Sequence, residues 1–181
     1  MSRQKGDIMR EVMISIQPKW VEKICRKEKT VEVRKTKPKC ELPFKCYIYC
    51  TKGKPTFTQS AFCDDISNGK VIGEFVCDRI YDITPTSPHK YDCGWNVYEE
   101  HSRLTFDEFR NYLREKNGYG WHITDLVVYD EPRGLGEFEV VGCQGCRDKD
   151  TYHCKFHCFG RRRLKRPPQS WCYIEPRQTA D

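Results

Sequence analysis

Lys29-Thr30-Val31-Glu32-Val33-Arg34-Lys35 alternates apolar and polar residues through its centre. A period of two is the mark of a strand with one face on a core. Val31 and Val33 would face that core. Thr30, Glu32 and Arg34 would share the other face, with Lys29 at its entrance. Residues two apart on one strand face lie about 6–7 Å apart, because each residue rises about 3.3 Å. Charged side chains at that spacing either pair with one another on a solvated face, where pairing is worth little, or grip one small polar ligand.

Working outward, Glu11-Val12-Met13-Ile14-Ser15-Ile16 reads as the preceding strand. Pro18 suits the first turn of a helix, and Trp20, Val21 and Ile24 give residues 18–27 one apolar face. Pro38 ends the Lys29–Lys35 strand. Residues 46–51 form a third strand, and 55–68 read as a loop or insertion. Residues 69–83 read as one long strand in which Gly73 marks a bend or a close backbone approach. A polar connection spans 84–104. Thr105-Phe106-Asp107-Glu108 matches a capping box. Phe106, Phe109, Tyr112 and Leu113 stripe the helix it opens, which Asn117-Gly118 ends. Residues 121–129 form a further strand, stopped near Pro132, and 170–175 form the last. Five or six strands and two helices without regular alternation predict an α+β fold. The expected form is a mixed β-barrel with flanking helices, not a doubly wound sheet.

The 181 residues suit one domain. Aromatic residues make up 13%, too many for a disordered chain. No apolar run approaches the roughly 20 residues that span a bilayer. The polar start, Met1 to Asp7, lacks the apolar region of a secretion signal. A cytoplasmic protein with no membrane partner is therefore expected. The net charge of +6 permits nucleic acid as a partner without requiring it. The excess concentrates in Arg161-Arg162-Arg163-Leu164-Lys165-Arg166, either a solvated loop or a phosphate-contacting patch.

Twelve cysteines without a secretion signal point to thiols and metal rather than disulfides. Cys143, Cys146, Cys154 and Cys158 give C-x2-C-x7-C-x3-C, with His153 and His157 among them. This pattern suits a closed structural zinc site, with either histidine able to replace a cysteine. Residues 142–160 have few aliphatic side chains, so a metal staple would compensate for the missing core.

The strand–helix–strand opening makes the family pattern visible. The chain resembles the ASCH domain, a member of the PUA-like superfamily of small β-barrels. The family motif has the form GxKxxExR. Here Lys27-Glu28-Lys29-Thr30-Val31-Glu32-Val33-Arg34 keeps the lysine, glutamate and arginine, with Lys27 in place of the glycine. Ser15-Ile16-Gln17-Pro18-Lys19-Trp20, Gly69-Lys70-Val71-Ile72-Gly73-Glu74-Phe75, Gly120-Trp121-His122-Ile123 and Pro167-Pro168-Gln169-Ser170-Trp171-Cys172-Tyr173 also look like family stretches. The combination resembles an ASCH subgroup found in phages and prophages of Gram-positive bacteria. It covers roughly residues 11–140 and 165–176.

The resemblance implies one ASCH/PUA-like domain over residues 8–176, with 142–160 as a Cys-rich zinc-binding insertion. It also implies a role in binding RNA or a modified nucleotide in a cleft beside the motif strand. One branch with a similar fold hydrolyses acetylcytidine through a lysine and a threonine in the pattern KxxT. Lys29 matches that lysine, but Glu32 stands where the threonine would be. A carboxylate cannot take the nucleophilic role of an activated hydroxyl toward an amide. Thr30, on the same strand face, is the hydroxyl that would have to substitute. Recognition is thus expected ahead of catalysis.

The expected ligand-binding residues are Lys29, Glu32, Arg34, Glu74, Trp20 and His122. Arg34 offers a planar fork for a phosphate or a base edge. Lys29 offers a compact positive charge. Glu32 can accept from an exocyclic amine, or simply orient Arg34. Glu74 is a second carboxylate, able to act as a general base. Trp20 offers a ring on which a base can stack, and His122 a hydrogen-bonding imidazole. Two alternatives stand beside this reading. One is an amidohydrolase acting on an acylated nucleoside through Lys29, Glu32 and Glu74. The other is a phage-encoded interaction protein acting through its basic segment.

Overall fold

The computed structural model describes residues 11–53, 69–83, 95–114, 116–141 and 161–175. Strand β1 (Glu11–Ile16) is buried along nearly its whole length. Its apolar run has no alternation because the strand lies inside a sheet covered on both faces. Val12, Ile14 and Ile16 enter one core cluster and Met13 another.

Helix α1 (Pro18–Cys25) follows, with Pro18 in its first turn and Val21 and Ile24 buried. It closes in a Schellman motif: the Lys27 amide donates to the Ile24 carbonyl and the Glu28 amide to the Lys23 carbonyl. Lys27 therefore takes φ 59°, in the left-handed region. That conformation favours a residue without Cβ, which gives a physical reason for the glycine at this place in the motif. Strand β2 (Val31–Arg34) starts four residues later.

The remaining elements are β3 (Phe44–Cys50), β4 (Val71–Cys77), β5 (Ile80–Ile83), α2 (Trp95–Ser102), α3 (Phe106–Leu113), β6 (Gly118–His122), β7 (Thr124–Arg133), β8 (Glu139–Val141), β9 (Arg161–Arg163) and β10 (Trp171–Ile174). A five-stranded sheet has the order β10-β1-β3-β4-β7, a three-stranded sheet the order β2-β6-β5, and β8 pairs with β9 in a ribbon. The fold is α+β, as expected. Its strands lie in two sheets and a ribbon, with no closing barrel ladder among the described residues.

Several sequence expectations need correction. Residues 69–83 are two strands, not one: β4 belongs to the large sheet and β5 to the small one, with the break at Asp78-Arg79. Residues 121–129 divide likewise between β6 and β7 at Ile123. Alternation continues through such a crossing, so the pattern alone does not reveal it. The connection 84–104 contains α2, whose sequence Trp-Asn-Val-Tyr-Glu-Glu-His-Ser has little apolar periodicity. Helix α3 has the expected Thr105–Glu108 capping box but ends at Leu113, with Arg114 left-handed at φ 52°. Gly118 instead opens β6, where a Cβ would sit 2.7 Å from the Leu113 side chain. The loop 55–68 and the cysteine-rich segment lie outside the described residues.

The core has three parts. One lies between the large sheet, α1 and Trp121. A second, built on Met13, Tyr47 and Phe138, covers the sheet's other face. The third joins Val33, Ile83 and Leu104 to Phe109 and Leu113 of α3. Trp20 packs against both the first and the third. No helix among the described residues is long and apolar enough to cross a membrane.

Candidate functional site

Lys29, Glu32 and Arg34 form one buried charged triad. Their exposures are 2%, 6% and 6%, so the polar face of β2 is not a solvated one. The Lys29 ammonium donates to the Val31 carbonyl (2.8 Å) and the Ser102 carbonyl (2.7 Å), and pairs with Glu32 Oε2 at 3.2 Å. An ammonium has three donors, and all three are used. Ser102 ends α2, where carbonyls without an intrahelical partner and the helix dipole favour a cation. Burial lowers the Lys29 pKa, and the Glu32 carboxylate works against that shift.

Arg34 completes the triad. Its Nη2 donates to Glu32 Oε1 (2.9 Å) and to the Ser15 carbonyl (2.6 Å) at the end of β1. Its Nη1 reaches Ser170 Oγ at 3.4 Å, and the guanidinium lies beside the Tyr112 hydroxyl, whose pKa burial raises and Arg34 holds down. The Arg34 Nε is buried without a hydrogen-bond partner among the described residues, as is the Trp121 indole Nε1. Glu32 thus bridges two cations that in turn hold β1, α2, α3 and the 165–170 segment around β2.

These segments enclose a cleft of about 1150 Å³. Among the described residues its walls carry five cations, Lys29, Arg34, Lys35, Lys52 and Lys165, against one acid, Glu32. Trp20, Tyr49 and Tyr112 supply aromatic surface. Lys19, Lys23 and Lys29 surround the Trp20 ring at 4.2, 5.6 and 5.4 Å from its centre. The Ser15 hydroxyl donates to the Pro168 carbonyl (2.6 Å) and so ties the far wall to β1.

No protein-family model matches this chain, and neither does any curated protein. Solved structures do. The crystal structure of ASCH from Zymomonas mobilis is 20% identical, with a TM-score of 0.54 over 90% of this chain and 86% of that one. A point mutant of that protein is 19% identical, again with a TM-score of 0.54, over 90% and 88%. The chain has the ASCH-domain fold. At this identity the likeness speaks for the fold alone.

Within the ASCH fold, the motif strand is β2, one wall of the cleft. Of the six expected ligand residues, Lys29, Glu32, Arg34 and Trp20 line that cleft together. Glu74 and His122 do not. Glu74 accepts from the Tyr129 hydroxyl and pairs with Lys45 at 3.1 Å. Burial raises its pKa, but the Tyr129 and Lys45 contacts outweigh that and leave it lowered. His122 Nδ1 lies 2.6 Å from Asp78 Oδ1. Alternation selects a strand face but not which segments converge over it, and neither residue lines the cleft.

Thr30 is also displaced from its expected position. The ladder begins at Val31, and Thr30 Oγ1 bonds to His101 Nδ1 at 2.9 Å instead of lining the cleft. Trp121 is a fully buried core residue. The basic run is partly a strand, with Arg161–Arg163 as β9 and Leu164 buried, while Lys165 reaches the cleft. Sequence reasoning missed Ser15, Lys52, Tyr112, Lys165 and Ser170 as cleft residues. Ser15 and Ser170 lie inside family-like stretches, a cue to the site that carried no assigned role. Cys143, Cys146, Cys154 and Cys158 fall outside the described residues. Among the described residues no cluster of three potential metal ligands occurs.

Proposed function

We propose that this protein binds RNA or a nucleotide in the cleft beside β2. The observation that carries the reading is the cleft's charge, five cations against one acid among the described residues, in about 1150 Å³ with aromatic walls. A concave basic surface concentrates field lines and attracts phosphates, and aromatic rings accept bases of any sequence. The triad gives the cleft a fixed shape, and the unpartnered Arg34 Nε marks a buried donor in its wall.

Recognition is favoured over hydrolysis of an acylated nucleoside. Lys29 has no free donor direction, and both Glu32 oxygens are engaged. An ammonium that donates in all three directions has no lone pair with which to act as nucleophile or base. Hydrogen-exchange mapping with saturating single-stranded RNA tests the binding site. Protection is expected over residues 15–20, 31–36 and 165–170. Protection confined to other surfaces would refute it.

The C-x2-C-x7-C-x3-C spacing carries a separate proposal, one structural zinc held by Cys143, Cys146, Cys154 and Cys158. Elemental analysis of protein purified without chelator is expected to give about one zinc per chain for a closed four-ligand site. A value near zero would overturn it.

A further inference from the structure

We infer that the occupant of the cleft is a single-stranded polynucleotide that leaves it along Lys35, Lys37 and Lys39, rather than a free nucleotide. The inference rests on the reading of the cleft as an RNA site. Residues 35–39 leave β2 through a bend at Lys35 and are pinned on one side. The Trp171 indole N–H donates to Thr36 Oγ1 at 2.9 Å, Pro38 is buried, and the Lys39 amide donates to the Tyr173 hydroxyl at 2.7 Å. Proline also holds the residue before it in an extended conformation. Lys35, Lys37 and Lys39, alternating with those anchors, are all exposed. In extended chain, alternate side chains repeat about every 6–7 Å, a spacing comparable to that of successive phosphates in a stretched strand.

Two aromatic rings accompany the lysines. The Lys35 ammonium lies 5.0 Å from the centre of the Tyr112 ring, and Lys37 lies 4.7 Å from that of Tyr119. Lysine beside tyrosine offers one group to a phosphate and the other to a base. Lys35 itself lines the cleft, so the track begins where the cleft ends. Lys37 and Lys39 lie beyond it, out of reach of a ligand that fills the cleft alone. An acid also meets the track: Lys37 pairs with Asp82 at 3.2 Å, with side-chain exposures of 44% and 74%. An exposed pair of this kind is weak, and a phosphate can displace it.

The test compares labelled RNAs of three and twelve nucleotides, across a salt series, on the native protein and on Lys37→Ala with Lys39→Ala. Both side chains are exposed, and an unchanged melting temperature confirms an intact fold. The native protein is expected to bind the twelve-mer more tightly than the trimer. The double variant is expected to lose that advantage and to leave trimer affinity unchanged. Its salt slope for the twelve-mer should be shallower by about 1.4, at roughly 0.7 per single-strand phosphate contact. Native affinity and slope in the double variant would overturn the track while the cleft reading stands. Failure of the native protein to bind either RNA would overturn both. A twelve-base-pair duplex bound as tightly as the single strand, with the same loss in the variant, would overturn the single-stranded assignment.

Discussion

Glu32→Ala is expected to destabilise the protein by about 3–5 kcal/mol, the usual cost of leaving buried charge uncompensated. Glu32 is the only carboxylate in contact with Lys29 and Arg34 among the described ion pairs. All three residues are at least nine-tenths buried. Without Glu32, two cations would remain in a site that water barely reaches. For a chain of this size such a loss lowers the melting temperature by roughly 10 °C. Glu32→Gln, which keeps the shape and some of the hydrogen bonding, should fall between the two.

The deficit should also depend on pH. Glu32 supplies both of the influences that raise the Lys29 pKa against the larger effect of burial. Its removal lowers that pKa further below the ordinary value of 10.5. Between the lowered folded value and the unfolded one, the unfolded chain binds more protons, so stability rises with pH. The cost of Glu32→Ala should thus be largest at neutral pH and shrink as pH approaches the ordinary lysine value. Urea unfolding at several pH values measures this. A loss under about 1 kcal/mol at pH 7 would mean that the triad is solvated rather than buried.

Gly73→Ala is expected to cost about 3 kcal/mol, at the upper end of ordinary overpacking. A Cβ at Gly73 would lie 2.4 Å from the Val127 carbonyl oxygen and 3.2 Å from the Val128 Cα. Both are backbone atoms of β7, so no side-chain rotation relieves the contact. The β4–β7 ladder is already irregular beside Gly73. The strands would have to separate there, and exchange of the β7 amides should accelerate along with the loss of stability. A change within about 0.5 kcal/mol, as for an ordinary surface substitution, would show that the strands are not held this close.

The close approach at Gly73 was legible in the sequence because a glycine inside an apolar strand has few other uses. The opening β1–α1–β2 and the Thr105 capping box were legible for a similar reason, since each is a local pattern with one physical reading. The crossings at Asp78-Arg79 and Ile123 were not. A period of two reports a strand but not the partner with which it pairs. Helix α2 was hidden because its residues form no clear apolar stripe. The motif strand yielded Lys29, Glu32 and Arg34, and α1 yielded Trp20. Lys52, Tyr112 and Lys165 come from three further segments that converge only in the folded chain. Glu74 and His122 do not line the cleft, because a period of two places a residue on a strand face without saying which segments converge there.

Binding of RNA by the cleft, and not by surface charge at large, is measured by titrating labelled single-stranded RNA across a salt series on the native protein and on Lys52→Ala with Lys165→Ala. Both lysines are exposed at the cleft and free of the triad. Weaker binding is expected in the double variant, with a salt slope shallower by about 1.4. Unchanged affinity and slope would contradict binding by the cleft.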